Sequence, residues 1–553
     1  MRTLLLIFLS VHIITCAQNN RITKGQKKQV DKLFSKWNKP NSPGMAIGVV
    51  SNGKMIYSKG YGLANLEHNI SNSPKTAFNI ASNGKQFTAA AIILLSIEGK
   101  LALNQSIKDF FPELPNYFEQ ITIINLLHHT SGLRDFSQIT YLSGLRPYDY
   151  YNDEDIFKWI KNQKALNFIP GEKFLYSNSN YWLLGQIVEK ISGISLAEFA
   201  KKEIFSPLKM DDTSFINNNS IIIKNRASGY YYSRRRSGFR AIVSTLEHTG
   251  NGGVYTTVND LRKWTDAFYN KTILNADFWK LMTAKGTLNN GREIEYACAL
   301  EIKNYKGLET IEHGGRAPGY LSDIINFPKE NFTVIVLTNA TNTNATQLGY
   351  QIANIFLKDK FKSSKKSKEK VHKTITLKVK ELNKHIGAYW NANDSYSREI
   401  KLKNDTLFYT RSPRNSNPLV AISKNTFKMI HTPPELNVLV SFADNNIMTF
   451  IENNVEVASF KKYKPANYTN IQLEKFTGKY YSEEIDTEYE LKQNKKGLQL
   501  FINGRRTVPL FPIMRNVFNS PMALFKFNEV DGQIKSFTVS TPRVKKILFK
   551  KMD

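Results

Sequence analysis

Cysteine is almost missing from this chain: Cys16 and Cys298 are the two in 553 residues. Two thiols are too few for a Cys-based zinc site or a Cys-x-x-Cys redox pair. If Cys16 is lost with a leader, no intramolecular disulfide remains, so the fold must hold by packing alone. Other signatures are absent too. The chain carries no H-E-x-x-H, no G-x-x-x-x-G-K-[ST] and no G-x-G-x-x-G after a strand, which removes the usual zinc-peptidase, P-loop and dinucleotide readings. It also lacks the G-x-S-x-G elbow of α/β-hydrolases. No metal and no cofactor is expected. Beyond residues 4–14 no apolar run approaches the roughly 20 residues that span a bilayer. Acidic residues are outnumbered, 47 against 76 basic ones, for a formal charge of +29. The lysines are spread along the chain, and basic residues are densest at Arg234-Arg235-Arg236 and over 362–373. Without a clustered face or a recognised module this reads as a solvated surface, not a nucleic-acid footprint. A weak, salt-dependent attraction to anionic surfaces such as cell wall or acidic lipid is consistent with it.

With 41% hydrophobic and 22% charged residues, the composition is that of ordinary globular protein, and the length calls for two to four domains. The start reads as a secretory signal over residues 1–17: Arg2, an apolar stretch at 4–14, then small residues before Gln18. Ile14 and Thr15 make Cys16 a poor lipidation site. The expectation is an exported protein, periplasmic or secreted. The next domain, 18–357, opens with an amphipathic helix at 25–37 and a hairpin at 45–61 turned by Asn52-Gly53. It closes with a hairpin at 322–338 and a helix at 346–357. Strands from both ends in one antiparallel sheet, with helices between, predict an α+β domain. A Lys/Ser-rich linker follows at 358–374. The rest repeats: Leu382, Gly387 and Tyr389 fit L-x4-G-x-Y, as do Leu473, Gly478 and Tyr480, and Phe460-Lys461-Lys462 returns as Phe549-Lys550-Lys551. Short alternating segments between turn residues predict two small antiparallel β modules, barrels or sandwiches, at 375–465 and 466–553.

Three elements carry chemistry. Ser82-Asn83-Gly84-Lys85 is an S-x-x-K tetrad. The same four residues recur at 51–54, but there they lie in a hairpin turn. After Ser82 comes an apolar helix closed by Gly99. Three residues apart on one helix, the hydroxyl and the amine are neighbours. A lysine takes a proton only when neutral, and burial lowers its pKa from about 10.4. Backbone N–H groups at the helix start can hold a developing oxyanion. Tyr176-Ser177-Asn178 stands at the turn before a second helix; a phenol can exchange protons and an amide can orient a carbonyl. His313-Gly314-Gly315, followed by Arg316, puts an ionisable ring beside backbone able to approach a ligand closely. The Arg316 N–H is a candidate second oxyanion donor. His128-His129 with Ser131 reads as loop, and the glycines at 250–253 as a turn before a helix starting at Asn259-Asp260.

In this order and spacing, S-x-x-K, Y-x-N and H-x-G make residues 25–357 resemble the serine β-lactamase, penicillin-binding protein, DD-carboxypeptidase and D-aminopeptidase family, closest to its class C-like branch. Residues 126–133 and 252–261 resemble further family signatures. The resemblance implies an antiparallel sheet flanked by helices with a helical subdomain. It implies Ser82 as acylated nucleophile, Lys85 and Tyr176 as proton-transfer partners, and Asn178 as substrate positioner. His313 would face a substrate carboxylate or leaving group, with Gly315 and Arg316 beside the substrate. Which of Lys85 and Tyr176 takes the first proton stays open. Where many β-lactamases have Lys-Thr-Gly this chain has His313-Gly314-Gly315, a form that resembles DD-carboxypeptidases, D-aminopeptidases and esterases. The implied substrate is a small peptide, amide or ester, with cell-wall peptides carrying D-amino acids as the leading class. A β-lactamase proper and a non-catalytic wall-binding protein are the alternatives.

Overall fold

The computed structural model describes residues 22–552, apart from 147–148, 244, 246, 272, 362–372, 394–395, 413–414, 433–435, 445 and 496. The expected leader at 1–17, with Cys16, and most of the Lys-rich linker lie outside the described residues.

A six-stranded antiparallel sheet forms the base of the first domain. Its strands are β1 (Met45–Ser51), β2 (Lys54–Tyr61), β3 (Glu301–Tyr305), β4 (Leu308–Ala317), β5 (Tyr320–Phe327) and β6 (Phe332–Thr338), in the order β3-β4-β5-β6-β1-β2. The two chain ends of the domain therefore meet at the β1–β6 pair, where Met45 faces Thr338 and Ser51 faces Phe332. Alternation along the strands sorts the core into two layers. Met45, Ile47, Val49, Val334 and Val336 point to one face and pack with helices α1 (Lys24–Phe34) and α4 (Ala345–Phe356). Ala46, Val50, Ile335 and Leu337 point to the other, toward α2 (Lys85–Ile97), α3 (Asn178–Ser192) and the remaining helices. The first helix ends at Phe34, three residues short of the expected Trp37. In the hairpin turn Asn52 and Gly53 both have positive φ, as a type I′ turn requires.

Helix α2 is buried on nearly every side, from Lys85 to Ile93 without interruption, and Gly99 beyond its end takes φ +71°. Any polar group at its start is thereby sealed from water unless a cavity reaches it.

The C-terminal repeat forms two closed eight-stranded antiparallel barrels, from Gly387–Asn391 to Val455–Tyr463 and from Gly478–Ser482 to Ile547–Lys551. The repeated residues do the same work in each. The Tyr389 hydroxyl donates to the His385 carbonyl (2.8 Å) and Tyr480 to that of Phe476 (3.0 Å). Lys462 and Lys551 lie over those rings, each 5.8 Å from the centroid. Gly387 and Gly478, at φ +148° and +125°, leave room for the same lysines, whose Cε atoms would stand 2.6 and 2.9 Å from an added Cβ. The first barrel has its own core, whereas the core of the second is continuous with that of the first domain.

The second barrel is fastened by buried polar contacts. Arg134 pairs with Glu484, both buried, and Glu484 also accepts from the Lys164 N–H at 3.1 Å. Tyr489 donates to the Leu142 carbonyl at 2.7 Å. No helix among the described residues is long and apolar enough to cross a membrane.

Candidate active site

A cavity of about 780 Å³ opens beside the start of α2. Ser82, Tyr176, Asn178, His313, Gly315 and Arg316 all line it, and Lys85 lies beneath, fully buried. The three separated motifs thus come together in one place.

Ser82 sits on a short 3-10 turn, Ala81–Gly84, which feeds directly into α2. Ala81 before it has φ +52°, a conformation that costs a non-glycine residue about 1 kcal/mol or more and is held by neighbours. The Asn79 side chain accepts from the Ala81 N–H (2.8 Å), and the Ile80 carbonyl accepts from Ser322 Oγ (2.7 Å). Ser322 in turn accepts from Asn83 Nδ2 at 2.8 Å. Strand β4 presses against this turn: a Cβ on Gly315 would come within 2.1 Å of the Ile80 carbonyl oxygen and 2.4 Å of Ser322 Oγ. Only glycine fits there.

Lys85 Nζ contacts Ser82 Oγ at 3.1 Å, Asn178 Oδ1 at 2.9 Å and, closer still, the backbone carbonyl of Asn251. The orientation of the Asn178 amide is fixed because its Nδ2 donates to the Asp135 carboxylate (3.2 and 3.3 Å) and to Ser137 Oγ (3.0 Å). Burial lowers the Lys85 pKa to about 7, with Asp135 opposing the shift and Arg543 adding to it.

Tyr176 is half-buried, its hydroxyl cut off from water and facing Ser82, the ring 5.1 Å from Lys85 Nζ and 4.2 Å from the His129 ring centroid. Burial drives its pKa upward, while Ser82 and then Arg543 pull the other way. His313 Nε2 meets the Tyr296 hydroxyl at 3.1 Å and Nδ1 meets the Gly314 carbonyl at 2.7 Å. Burial lowers its pKa to about 4, so the ring is neutral near pH 7. Arg316 is exposed at the end of β4.

Sequence reasoning missed several participants. The glycine-rich turn at 250–253 is also a wall of the site, since Asn251 supplies an acceptor to Lys85; the helix after it starts at Val258, capped by Thr257. His129 does lie in a turn, but a fully buried one. Its Nδ1 accepts from the Ser177 N–H at 3.2 Å and its ring supports Tyr176. Asp135 holds Asn178. Arg543, from the second barrel, reaches over the Tyr176 ring at 4.7 Å and bonds Asp135 at 3.1 Å. The first of these had a signal in its glycine neighbours, the last had none.

Comparison with known proteins agrees with this geometry. A family model described as Beta-lactamase matches residues 30–355. The chain belongs to the beta-lactamase family. Penicillin-binding protein 4* of Bacillus subtilis (strain 168) is 26% identical over 402 residues, covering 70% of this chain and 87% of that protein. The D-aminopeptidase of Gluconobacter oxydans (strain 621H) is 28% identical over 298 residues, 54% of this chain and 56% of that protein. Among solved structures, the octameric penicillin-binding protein homologue from Pyrococcus abyssi shares the fold with a TM-score of 0.55 at 23% identity, covering 78% of this chain and 99% of that one. As a beta-lactamase-family protein the chain is a serine hydrolase, an α+β domain followed by two β-barrels.

Proposed function

We propose that this protein is an exported hydrolase that cleaves amide or ester bonds through an acyl-Ser82 intermediate, acting on small peptides of cell-wall type that contain D-amino acids. The observation that carries the reading is the set of partners around Lys85 Nζ. Asn178 Oδ1 and the Asn251 carbonyl can only accept, so they take two N–H bonds. The remaining partner, the Ser82 hydroxyl, accepts from an ammonium and can donate once the amine is neutral. A neutral amine satisfies this arrangement with its lone pair on the serine proton, and a pKa of about 7 makes the neutral form available.

On this reading Lys85 is the first base. It takes the Ser82 proton as Oγ attacks the carbonyl carbon, and the N–H groups of Ser82 and Arg316 hold the oxyanion. Tyr176 keeps its proton because its pKa is raised. Its phenol passes that proton to the departing amine or alkoxide and is recharged from the Lys85 ammonium. Water then attacks the ester carbonyl and gives a proton to the neutral Lys85; the bond from the acyl carbon to Ser82 Oγ breaks, and the Lys85 ammonium returns that proton to Oγ. Asn178, locked by Asp135, orients the acyl group. The leader-like segment at 1–17 supports export, and the named relatives, a penicillin-binding protein and a D-aminopeptidase, support the substrate class.

The test is turnover of a panel of activated esters, D-amino-acid amides and D-Ala-terminated peptides by the wild type and by Ser82→Ala. Hydrolysis by the wild type that vanishes in a folded Ser82→Ala chain supports the reading. Undiminished activity in that variant overturns it.

A further inference from the structure

We infer that Arg543, carried into the hydrolase site by the second barrel, is a specificity-determining residue that binds a carboxylate of the substrate. The inference rests on the acyl-Ser82 reading for what enters the cavity, but its evidence is separate.

A carboxylate in this cavity needs a positive partner. His313 does not supply one, because its ring is buried and both nitrogens are engaged, by Tyr296 and by the Gly314 carbonyl. Lys85 lies below the cavity with its amine committed to three partners. Among the described residues, the lining holds two arginines, Arg316 and Arg543, besides His248 and His313, and its one carboxylate, Glu301, is paired with Lys303. Arg316 stands at an exposed strand end.

Arg543 is held where a ligand would meet it. Its carbonyl accepts from the Asp135 N–H (3.3 Å) and from Asn167 Nδ2 (3.0 Å), and the Lys545 N–H donates to Asn167 Oδ1 at 2.8 Å. Val544 beside it is fully buried. The guanidinium lies over the Tyr176 ring and spends one N–H on Asp135. A guanidinium has five N–H donors in a planar fork, and 38% of this side chain remains exposed. Asp135 is completely buried and already holds Asn178, so the pair presents its cationic side to the cavity. A preorganised, half-desolvated arginine is the group that recognises carboxylates bidentately. The barrel thus supplies charge that the hydrolase domain's own motifs leave out.

The test reads binding instead of turnover, in the full-length Ser82→Ala chain, by calorimetry. Three probes share one D-amino-acid dipeptide. One is the N-acetyl dipeptide amide, which is neutral. The second is its free C-terminal acid, and the third its N-succinyl amide, anionic at the other end. One anionic probe is expected to bind about tenfold tighter than the neutral one or better, identifying which end meets Arg543. Adding Arg543→Gln should reduce that advantage to within about twofold, and Arg543→Lys should keep part of it. Melting temperatures of both variants check that the barrel stays docked. Equal binding of all three probes, no binding of any, or an advantage that survives Arg543→Gln overturns the inference. A wild type that turns over no ester or amide would instead sink the hydrolase reading, a result this measurement does not depend on.

Discussion

Lys85 Nζ lies 3.1 Å from Ser82 Oγ, and its two other partners are groups that cannot donate. When the amine is neutral, the Ser82 hydroxyl is the partner among the three that can turn its proton toward it. An ammonium donates to all three and cannot take that proton, and burial lowers the Lys85 pKa to about 7. The value is depressed, so the active neutral form dominates above pH 7 and is lost below it. Hydrolysis of an ester that does not itself titrate should show kcat/KM rising about tenfold per pH unit on the acid side and levelling near pH 7. Lys85→Arg, always cationic, should lose about 100-fold or more at every pH. A profile flat from pH 5 to 8 would contradict the assignment of the base.

Tyr176 offers a separation of function from stability. Its hydroxyl is cut off from water and has no protein partner beyond its contact with Ser82, so removing it costs the fold little. Tyr176→Phe should melt at or slightly above the wild-type temperature while turnover falls by about 100- to 10,000-fold. A melting temperature several degrees lower would mean that the hydroxyl is structural.

Gly315 and Gly314 should respond unequally to the same change. An alanine Cβ at 315 meets the Ile80 carbonyl at 2.1 Å and must displace the backbone next to Ser82. Gly315→Ala is expected to cost about 1–3 kcal/mol and to lower turnover about 100-fold through the misplaced nucleophile. At 314 the nearest atom is Asp323 Oδ2 at 3.6 Å, ordinary contact, so Gly314→Ala should cost much less stability. Thermal melts of the two variants decide it.

The Arg134–Glu484 pair fastens the second barrel beside the active site. Removing one partner leaves a buried charge unpaired, and Glu484→Gln should destabilise the chain by about 3–5 kcal/mol in denaturant titration. Substitution of both by apolar residues of similar size should recover much of that loss. Equal stability of Glu484→Gln and wild type would show that the barrel is held otherwise.

Much of this was legible beforehand because local patterns carried it. The Asn52-Gly53 turn, the apolar run after Ser82 and the repeated L-x4-G-x-Y each specify local geometry from a few neighbouring residues. The barrel repeat even encodes a contact, since Lys462 and Lys551 fall on equivalent glycines and tyrosines. The convergence of Ser82, Tyr176 and His313 was an expectation from motif order, and the cavity contains all three. What stayed hidden depends on tertiary approach. Asn251 acts through a backbone carbonyl, which any residue type supplies. Arg543 is one arginine among many basic residues, and only docking of the second barrel brings it over Tyr176. His129 looked like a loop residue because no periodicity reveals that a loop is buried beneath the site.

Formation of a covalent ester on Ser82 is the claim on which the account stands, and intact-mass measurement tests it most directly. The full-length chain would be incubated separately with a β-lactam and with a small activated ester, then digested to locate the added mass. The account predicts one acyl group per chain, on the peptide containing Ser82, absent in Ser82→Ala and forming more slowly below pH 7. Failure of both reagents to add mass, or an acyl group on any other residue, would contradict it.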